Sequence, residues 1–241
     1  MTVVRAEEVR LAQARRPSTF ALKVIMAVTG VVFVAFVFVH MVGNLKVYGG
    51  AESLDGYARW LREVGYPLIP HRGVLWALRV VLLASLVAHV GASLVLWRRG
   101  RQARGRFRRR RSTTATAWVA RTMLLGGLFI LAFVVVHLLG LTIGQVLAPG
   151  SHRHAEADGT IHAYHNLVES FSRPWMAAFY VVSMLVIALH IWHGWRTVLQ
   201  DVGATGRRLR AVWATLGALI AWAIVLGNAL IPVLVQLGAI A

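Results

Sequence analysis

Read from its N-terminus, the chain alternates between long stretches nearly free of charge and short segments crowded with it. An apolar run of about 20 residues is long enough for a helix to cross the hydrocarbon core of a bilayer. Five such runs occur: Val24–Gly43, Val74–Trp97, Trp118–Ile143, Trp175–Trp195 and Val212–Val235. They predict an all-α membrane protein, a five-helix bundle forming one domain over residues 1–241. Tryptophans mark several of the expected helix ends (Trp76, Trp97, Trp118, Trp175, Trp195 and Trp213), where an interfacial aromatic belt would sit. Between the first two runs, Leu54, Tyr57, Ala58 and Leu61 recur at helical spacing, which predicts a short amphipathic helix over Ser53–Val64. The connection over residues 144–174 is polar and carries His152, His154, His162 and His165. It is expected to be a solvated loop, with a loose surface metal site as the alternative.

Composition narrows the class. A hydrophobic fraction of 58% and a mean hydropathy of +0.64 are too high for an ordinary soluble domain. The absence of cysteine rules out a disulfide and the thiolate ligands of an iron–sulfur cluster on this chain. It also removes any C-x-x-C-H attachment site, so a haem here would be held without thioether links. The first twenty residues are charged over too long a stretch for a secretory signal, and no small-residue cleavage site follows, so the first helix is expected to be retained.

A formal net charge of +17 raises a nucleic-acid partner, but the distribution points elsewhere. With the N-terminus placed in the cytoplasm, nineteen of the 26 basic residues and three of the nine acidic residues fall inside. Seven basic and six acidic residues fall outside. This is a positive-inside asymmetry, which sets topology and attracts anionic headgroups. It leaves the C-terminus outside.

Four of the ten histidines lie inside four different apolar runs: His40, His89, His137 and His190. Ionisable side chains at such depth are functional candidates by default. At about 1.5 Å of rise per residue, depth can be counted from the helix ends. His40 lies three residues from Gly43, and His137 six from Ile143, both near the outer face. His89 lies eight residues from Trp97, and His190 five from Trp195, both nearer the inner face. The two layers are roughly 10–15 Å apart. Two stacked haems, each held by two imidazoles, fit that arrangement, whereas a metal site would need three or four ligands at one level. Bis-histidine ligation fills both axial positions and favours electron transfer over oxygen chemistry. The alternative for each histidine is a buried imidazole bonded to a carbonyl or to water.

His193, one turn after His190, matches the depth of His89 less well and reads as a second-shell or propionate partner. Arg79 and Arg121 sit inside apolar runs and are candidates for haem carboxylates, with snorkelling as the alternative. Small residues follow the four histidines by about a turn (Gly43, Ala92 and Ser93, Gly140, Gly194) and would give a flat macrocycle room to approach.

The segments HMVGNLKVYGG, LRVVLLASLVAHVGASLVLW, ARTMLLGGLFILAFVVVHLLG and LHIWHGWRTVLQDVG resemble one family in order and spacing. It is the single-subunit, five-helix, di-haem cytochrome b anchor of succinate dehydrogenases and fumarate reductases, and the resemblance runs from about Phe20 to Val235. The resemblance implies an outer haem b on His40 and His137 and an inner haem b on His89 and His190. His190 also stands thirteen residues before Gly203, as the family's ligand does relative to a glycine past the helix. It further implies a multi-pass subunit of respiratory complex II in a bacterial cytoplasmic membrane. Its partners would be a flavoprotein subunit that oxidises succinate and an iron–sulfur subunit, docked on the basic cytoplasmic face. Electrons would pass through the anchor to a quinone, expected to be menaquinone, with no dehydrogenase active site on this chain. Some fumarate-reducing relatives carry a glutamate two residues before the fourth-helix ligand. Here that position is Ala188, which favours succinate oxidation in the tricarboxylic acid cycle.

Polar residues near the two layers mark quinone neighbourhoods. Asn44, Lys46, Asp55, Tyr57 and His71 lie near the outer one, and Arg121, His193 and Trp195 near the inner one. The alternatives are a di-haem cytochrome b subunit of a hydrogenase or formate dehydrogenase, and a haem-free proton-coupled transporter. The latter would more often carry midplane acids, and no acid lies within the five runs.

Overall fold

The computed structural model describes residues 17–106, 114–144, 150–156, 158–204 and 206–241. The basic segment before residue 17 and the arginines at 108–111 lie outside the described residues. Seven α-helices and no strand occur among the described residues: α1 (Thr19–Asn44), α2 (Gly50–Glu63), α3 (Gly73–Arg104), α4 (Ala115–His137), α5 (Ala163–Phe171), α6 (Pro174–Asp201) and α7 (Arg207–Gln236). A 3₁₀ turn, Leu45–Gly49, joins α1 to α2, and α4 continues as a π-helical turn over Leu138–Ile143. Five helices are long and apolar enough to cross a membrane, one for each run read from the sequence. They extend past the apolar runs because polar residues continue the helical backbone. Ser18 caps α1 by accepting from the Ala21 amide at 3.0 Å, and Pro174 opens α6 at a position that has no helical amide bond to lose.

The bundle is organised around α6, which packs against α7, α4 and α1, while α3 packs on α1. Met176, Tyr180, Met184, Ile187 and Ile191 of α6 meet Ile224, Ile231 and Val235 of α7 in the core. Ser183 is fully buried and donates to the Phe179 carbonyl at 2.7 Å, which satisfies its hydroxyl without a second helix. Small residues set the helix separation, as expected where lipid supplies no hydrophobic drive for association. A Cβ on Gly217 would collide with the Trp195 indole, and one on Gly227 would lie 2.6 Å from Met41 Sδ. Trp195 and Trp213 stack at 4.3 Å with planes 10° apart. Each indole donates to the other residue's carbonyl, at 3.0 and 2.6 Å.

Polar ties fix the two ends of α1. Lys23 Nζ meets Asp201 Oδ1 of α6 at 2.8 Å, at the end of the bundle that carries the arginine-rich connection. Asn44 donates to Asn228 Oδ1 of α7 at 2.9 Å, at the opposite end. That opposite end, here the loop end, carries α2 and α5. The amphipathic helix expected over Ser53–Val64 is α2, beginning three residues earlier. The connection expected to be wholly a solvated loop is corrected by α5, whose Leu167, Ser170 and Phe171 are buried. Those residues recur at helical spacing over nine positions, too few to stand out from polar surroundings. Asp55 of α2 accepts from the Tyr164 amide at the first turn of α5 at 2.9 Å, and Tyr164 and Gln236 bind the C-terminal end and the end of α5 respectively.

Candidate functional site

The four intramembrane histidines meet in two pairs. His40 of α1 and His137, the last residue of α4, have ring centroids 5.9 Å apart with planes at 89°. His89 of α3 and His190 of α6 have centroids 6.5 Å apart with planes at 54°. The first pair lies toward the loop end and the second toward the arginine end, because α1 and α4 run toward the loop end where α3 and α6 run away from it. His193 joins neither pair and forms no hydrogen bond among the described residues.

Each pair joins helices that do not pack extensively on one another: α1 with α4, and α3 with α6. The imidazoles therefore face each other across gaps in the bundle. His40 is exposed, and its ring confronts that of His137. At the other pair, a Cβ built on Gly30 of α1 would have His89 Cε1, 3.7 Å away, as its nearest neighbour. One on Gly127 of α4 would have His190 Cε1 at 3.5 Å, and nothing else lies within 4 Å of either. The space beside the rings is thus left unfilled by protein. The small residues singled out from sequence have varied surroundings. Gly43 makes room for Tyr57, whose ring would be 2.7 Å from a Cβ there, Ala92 and Gly140 are buried in packing, and Gly194 faces open space.

Hydrogen bonds orient two of the rings. Thr29 Oγ1 lies 2.7 Å from the Ile25 carbonyl and 2.9 Å from His89 Nδ1. A hydroxyl has one proton, and the shorter bond to the carbonyl takes it, so His89 Nδ1–H donates to the hydroxyl. That tautomer, assigned from the hydrogen bonding, leaves the lone pair on Nε2. His137 Nδ1 meets the Tyr180 hydroxyl at 3.2 Å, again at the nitrogen nearer the backbone. Nε2 of both histidines has no hydrogen-bond partner among the described residues. His190 Nδ1 is buried and has no partner among them either. Such an orphaned atom costs about 1–3 kcal/mol unless another group satisfies it. Aromatic rings close the flanks: Phe36 stacks on His40 at 5.4 Å, Phe33 meets His89 edge-on at 5.8 Å, and Phe133 lies against His137 at 5.7 Å. The π-helical turn that follows His137 ends the regular helix at that residue, and such turns recur at functional sites.

The donor set fits a haem. Two imidazoles on opposite sides of one metal, each at about 2 Å, place their ring centroids about 6 Å apart. Both centroid distances are close to this, and one histidine of each pair, His89 and His137, has an Nδ1 partner of the kind that ligating histidines have. No group of three or more histidine, cysteine, aspartate or glutamate side chains capable of holding a metal occurs among the described residues.

Other sequence candidates have structural partners. Asn44 is bound to Asn228, Asp55 to the Tyr164 amide, and Trp195 to Trp213. Tyr57 stacks near Trp60, and His71 stacks on Tyr66 at 4.2 Å. Lys46 lies exposed on the 3₁₀ turn, and Arg121 lies exposed on α4. In the 150–173 segment, His162 Nε2 pairs with Glu156 at 2.8 Å, His165 reaches the Ser151 carbonyl at 3.2 Å, and His152 lies beside His154. Arg79 lies over the Trp76 ring at 4.9 Å and lines a cavity with Arg62 and Arg72. Sequence reasoning missed Thr29, Tyr180, Gly30 and Gly127. Thr29 and Gly30 were visible as a polar and a small residue within an apolar run, but nothing in the sequence says which helix they face.

The fold and these paired imidazoles define a polytopic helical membrane protein built around two interior sites. The chain belongs to the succinate dehydrogenase/fumarate reductase transmembrane subunit family, whose model matches residues 98–230, more than half of the chain. It is thus the membrane subunit of such a complex, with catalytic flavoprotein and iron–sulfur subunits as the partners that the family implies. No curated protein and no solved structure matches the chain.

Proposed function

We propose that this chain is the electron-transferring anchor of a succinate:quinone oxidoreductase, carrying two b-type haems in a bacterial cytoplasmic membrane. His40 and His137 would hold the haem nearer the loop end, and His89 and His190 the one nearer the arginine end. The observation that carries this reading is the two imidazole pairs, at 5.9 and 6.5 Å, on helices that otherwise stand apart. When bound between two imidazoles, haem supplies one-electron chemistry, and it has no open axial position for oxygen. The chain's own part is to orient the rings. Thr29 accepts from His89 Nδ1–H and leaves the Nε2 lone pair of that ring free, Tyr180 meets His137 Nδ1, and Phe33, Phe36 and Phe133 keep the surroundings apolar. The iron–sulfur subunit would supply electrons at the arginine end, and a quinone, menaquinone by resemblance, would accept them. The positive-inside asymmetry supports a cytoplasmic N-terminus and an outer C-terminus.

A reduced-minus-oxidised absorption spectrum of the purified complex tests this. The expected result is a b-type signal that titrates in two steps, and absence of visible absorption would overturn the reading. His89→Ala is expected to remove about half of the haem and spare the pair at the loop end. Retention of both haems in that variant would show the ligand assignment to be wrong.

A further inference from the structure

A second candidate site lies at the loop end, lined by none of the four paired histidines. Two adjoining cavities share Arg62, Arg72 and Ala155. The larger, about 470 Å³, is lined by carboxylates as well as by Arg59 and Arg62, namely Glu63, Glu156 and Asp158. The smaller, about 250 Å³, brings together Arg62, Arg72, Arg79, His154, Thr142 and Trp76, and no aspartate or glutamate lines it among the described residues. Arg62 and Arg72 also border the carboxylates of the larger cavity, but the three guanidinium groups that converge on the smaller one repel one another and favour an anion there. The fold holds them in place. The Arg72 amide donates to the Arg62 carbonyl at 2.7 Å, Arg62 Nη1 donates to the Ala58 carbonyl at 2.6 Å, and Arg79 lies over Trp76. Arg72 also stands immediately before the first turn of α3 in a left-handed conformation (φ 64°). The N-terminus of a 32-residue helix thus adds its positive end to the cavity.

What lies below the cavity identifies the anion. Trp76, Val80, Leu83 and Val87 recur at spacings of four, three and four residues, so they form one stripe down α3. All are exposed, at 58%, 63%, 63% and 68%. Val80 is nine residues from His89, about 180° around the helix, so the stripe faces away from the histidine pairs and toward lipid. A charged cavity at the head of an apolar stripe matches a molecule with an anionic head and a hydrocarbon tail.

We infer that this cavity binds an anionic phospholipid, its phosphodiester among Arg62, Arg72 and Arg79 and an acyl chain along Trp76, Val80, Leu83 and Val87. None of the four paired histidines lines this cavity.

The whole complex, purified and reconstituted in phosphatidylcholine with a minor fraction of phosphatidylglycerol, is released and weighed by native mass spectrometry. The expected result is selective retention of phosphatidylglycerol. Arg79→Gln and Arg72→Asn are each expected to lower that retention about fivefold, the weight of one arginine beside an anionic headgroup. Asparagine tolerates the left-handed conformation at position 72, so that variant leaves the turn intact. Arg153→Gln removes an exposed charge of the same segment outside the cavity and is expected to leave retention unchanged. Equal retention of phosphatidylcholine, or unchanged retention in both cavity variants, would overturn the proposal. So would arginine-dependent binding of inorganic phosphate by lipid-stripped complex that retains no phosphatidylglycerol, which would make the occupant a free anion. Loss of haem absorbance in Arg79→Gln with lipid retention unchanged would assign the arginines to a porphyrin carboxylate instead.

Discussion

Thr29 and Tyr180 carry much of the chemistry of the two pairs without belonging to them. Each places a hydroxyl against Nδ1 of a histidine from a different helix and so orients that ring. Thr29→Val and Tyr180→Phe keep shape and remove the hydrogen bond. Loss of such a supporting contact typically weakens metal binding about 10- to 100-fold. Each variant is expected to lose the haem of its own pair faster in competition with a haem-scavenging globin, while the other pair is unaffected. The histidines themselves were legible in the sequence, because helical rise converts position along an apolar run into depth. Their supporting hydroxyls were not. Depth says nothing about lateral neighbours, and a threonine in a membrane helix commonly bonds its own backbone, as Thr29 also does. A separate residue-scale expectation concerns His152. Burial foremost, then the neighbouring His154 and His165, hold its pKa below the ordinary imidazole value. A histidine with a lowered pKa contributes stability above about pH 6.5 that is lost as pH falls below it. Amide exchange in residues 150–156, corrected for intrinsic rate, is therefore expected to quicken below that pH in the wild type. His152→Gln is expected to abolish the change.

At the scale of elements, α6 and α7 form the firmest pair, closed by the reciprocal Trp195–Trp213 stack. Gly217 is the position that permits it. Gly217→Leu would drive a side chain into the Trp195 indole, and overpacking of this kind costs about 1–3 kcal/mol. The expected result is a lower thermal midpoint in detergent, read by circular dichroism, with the Trp213→Phe variant losing less. The five spanning helices could be read from hydropathy because about 20 apolar residues in a row have few other fates. α5 could not. Its buried Leu167 and Phe171 are held by contacts with α2, α6 and α7 rather than by any signal of its own. The π-helical turn after His137 was equally invisible, since nothing in the sequence there marks a change of hydrogen-bond register.

The whole molecule is polarised. Among the described residues, Lys23, the arginines that end α3, and Arg207, Arg208 and Arg210 at the start of α7 gather at the end where Lys23 meets Asp201. Exposed charges act over about 8–10 Å at physiological salt, so an acidic partner surface docked there is held partly by screened attraction. Replacing Arg207, Arg208 and Arg210 together with glutamine is expected to lower the salt concentration at which the soluble subunits wash off isolated membranes. The amount of the anchor itself should not change. This polarity was legible from charge counting alone. The lateral order of the helices was not, because five apolar helices of similar length can be arranged in many ways that satisfy the same depths. Specific close approaches, such as Met41 at Gly227 and the Asn44–Asn228 bond, select one of them.

The gaps bridged by imidazole bear on how the subunit is made. Helices α1 and α4, and likewise α3 and α6, bring few backbone positions close together. Val34 of α1 and Phe133 of α4 still share the apolar core, so that contact remains to draw the first two together. If the proposed haems occupy the two pairs, maturation would have to seat each planar guest between its two helices, and quality-control proteases would find a chain without them ajar along those two seams.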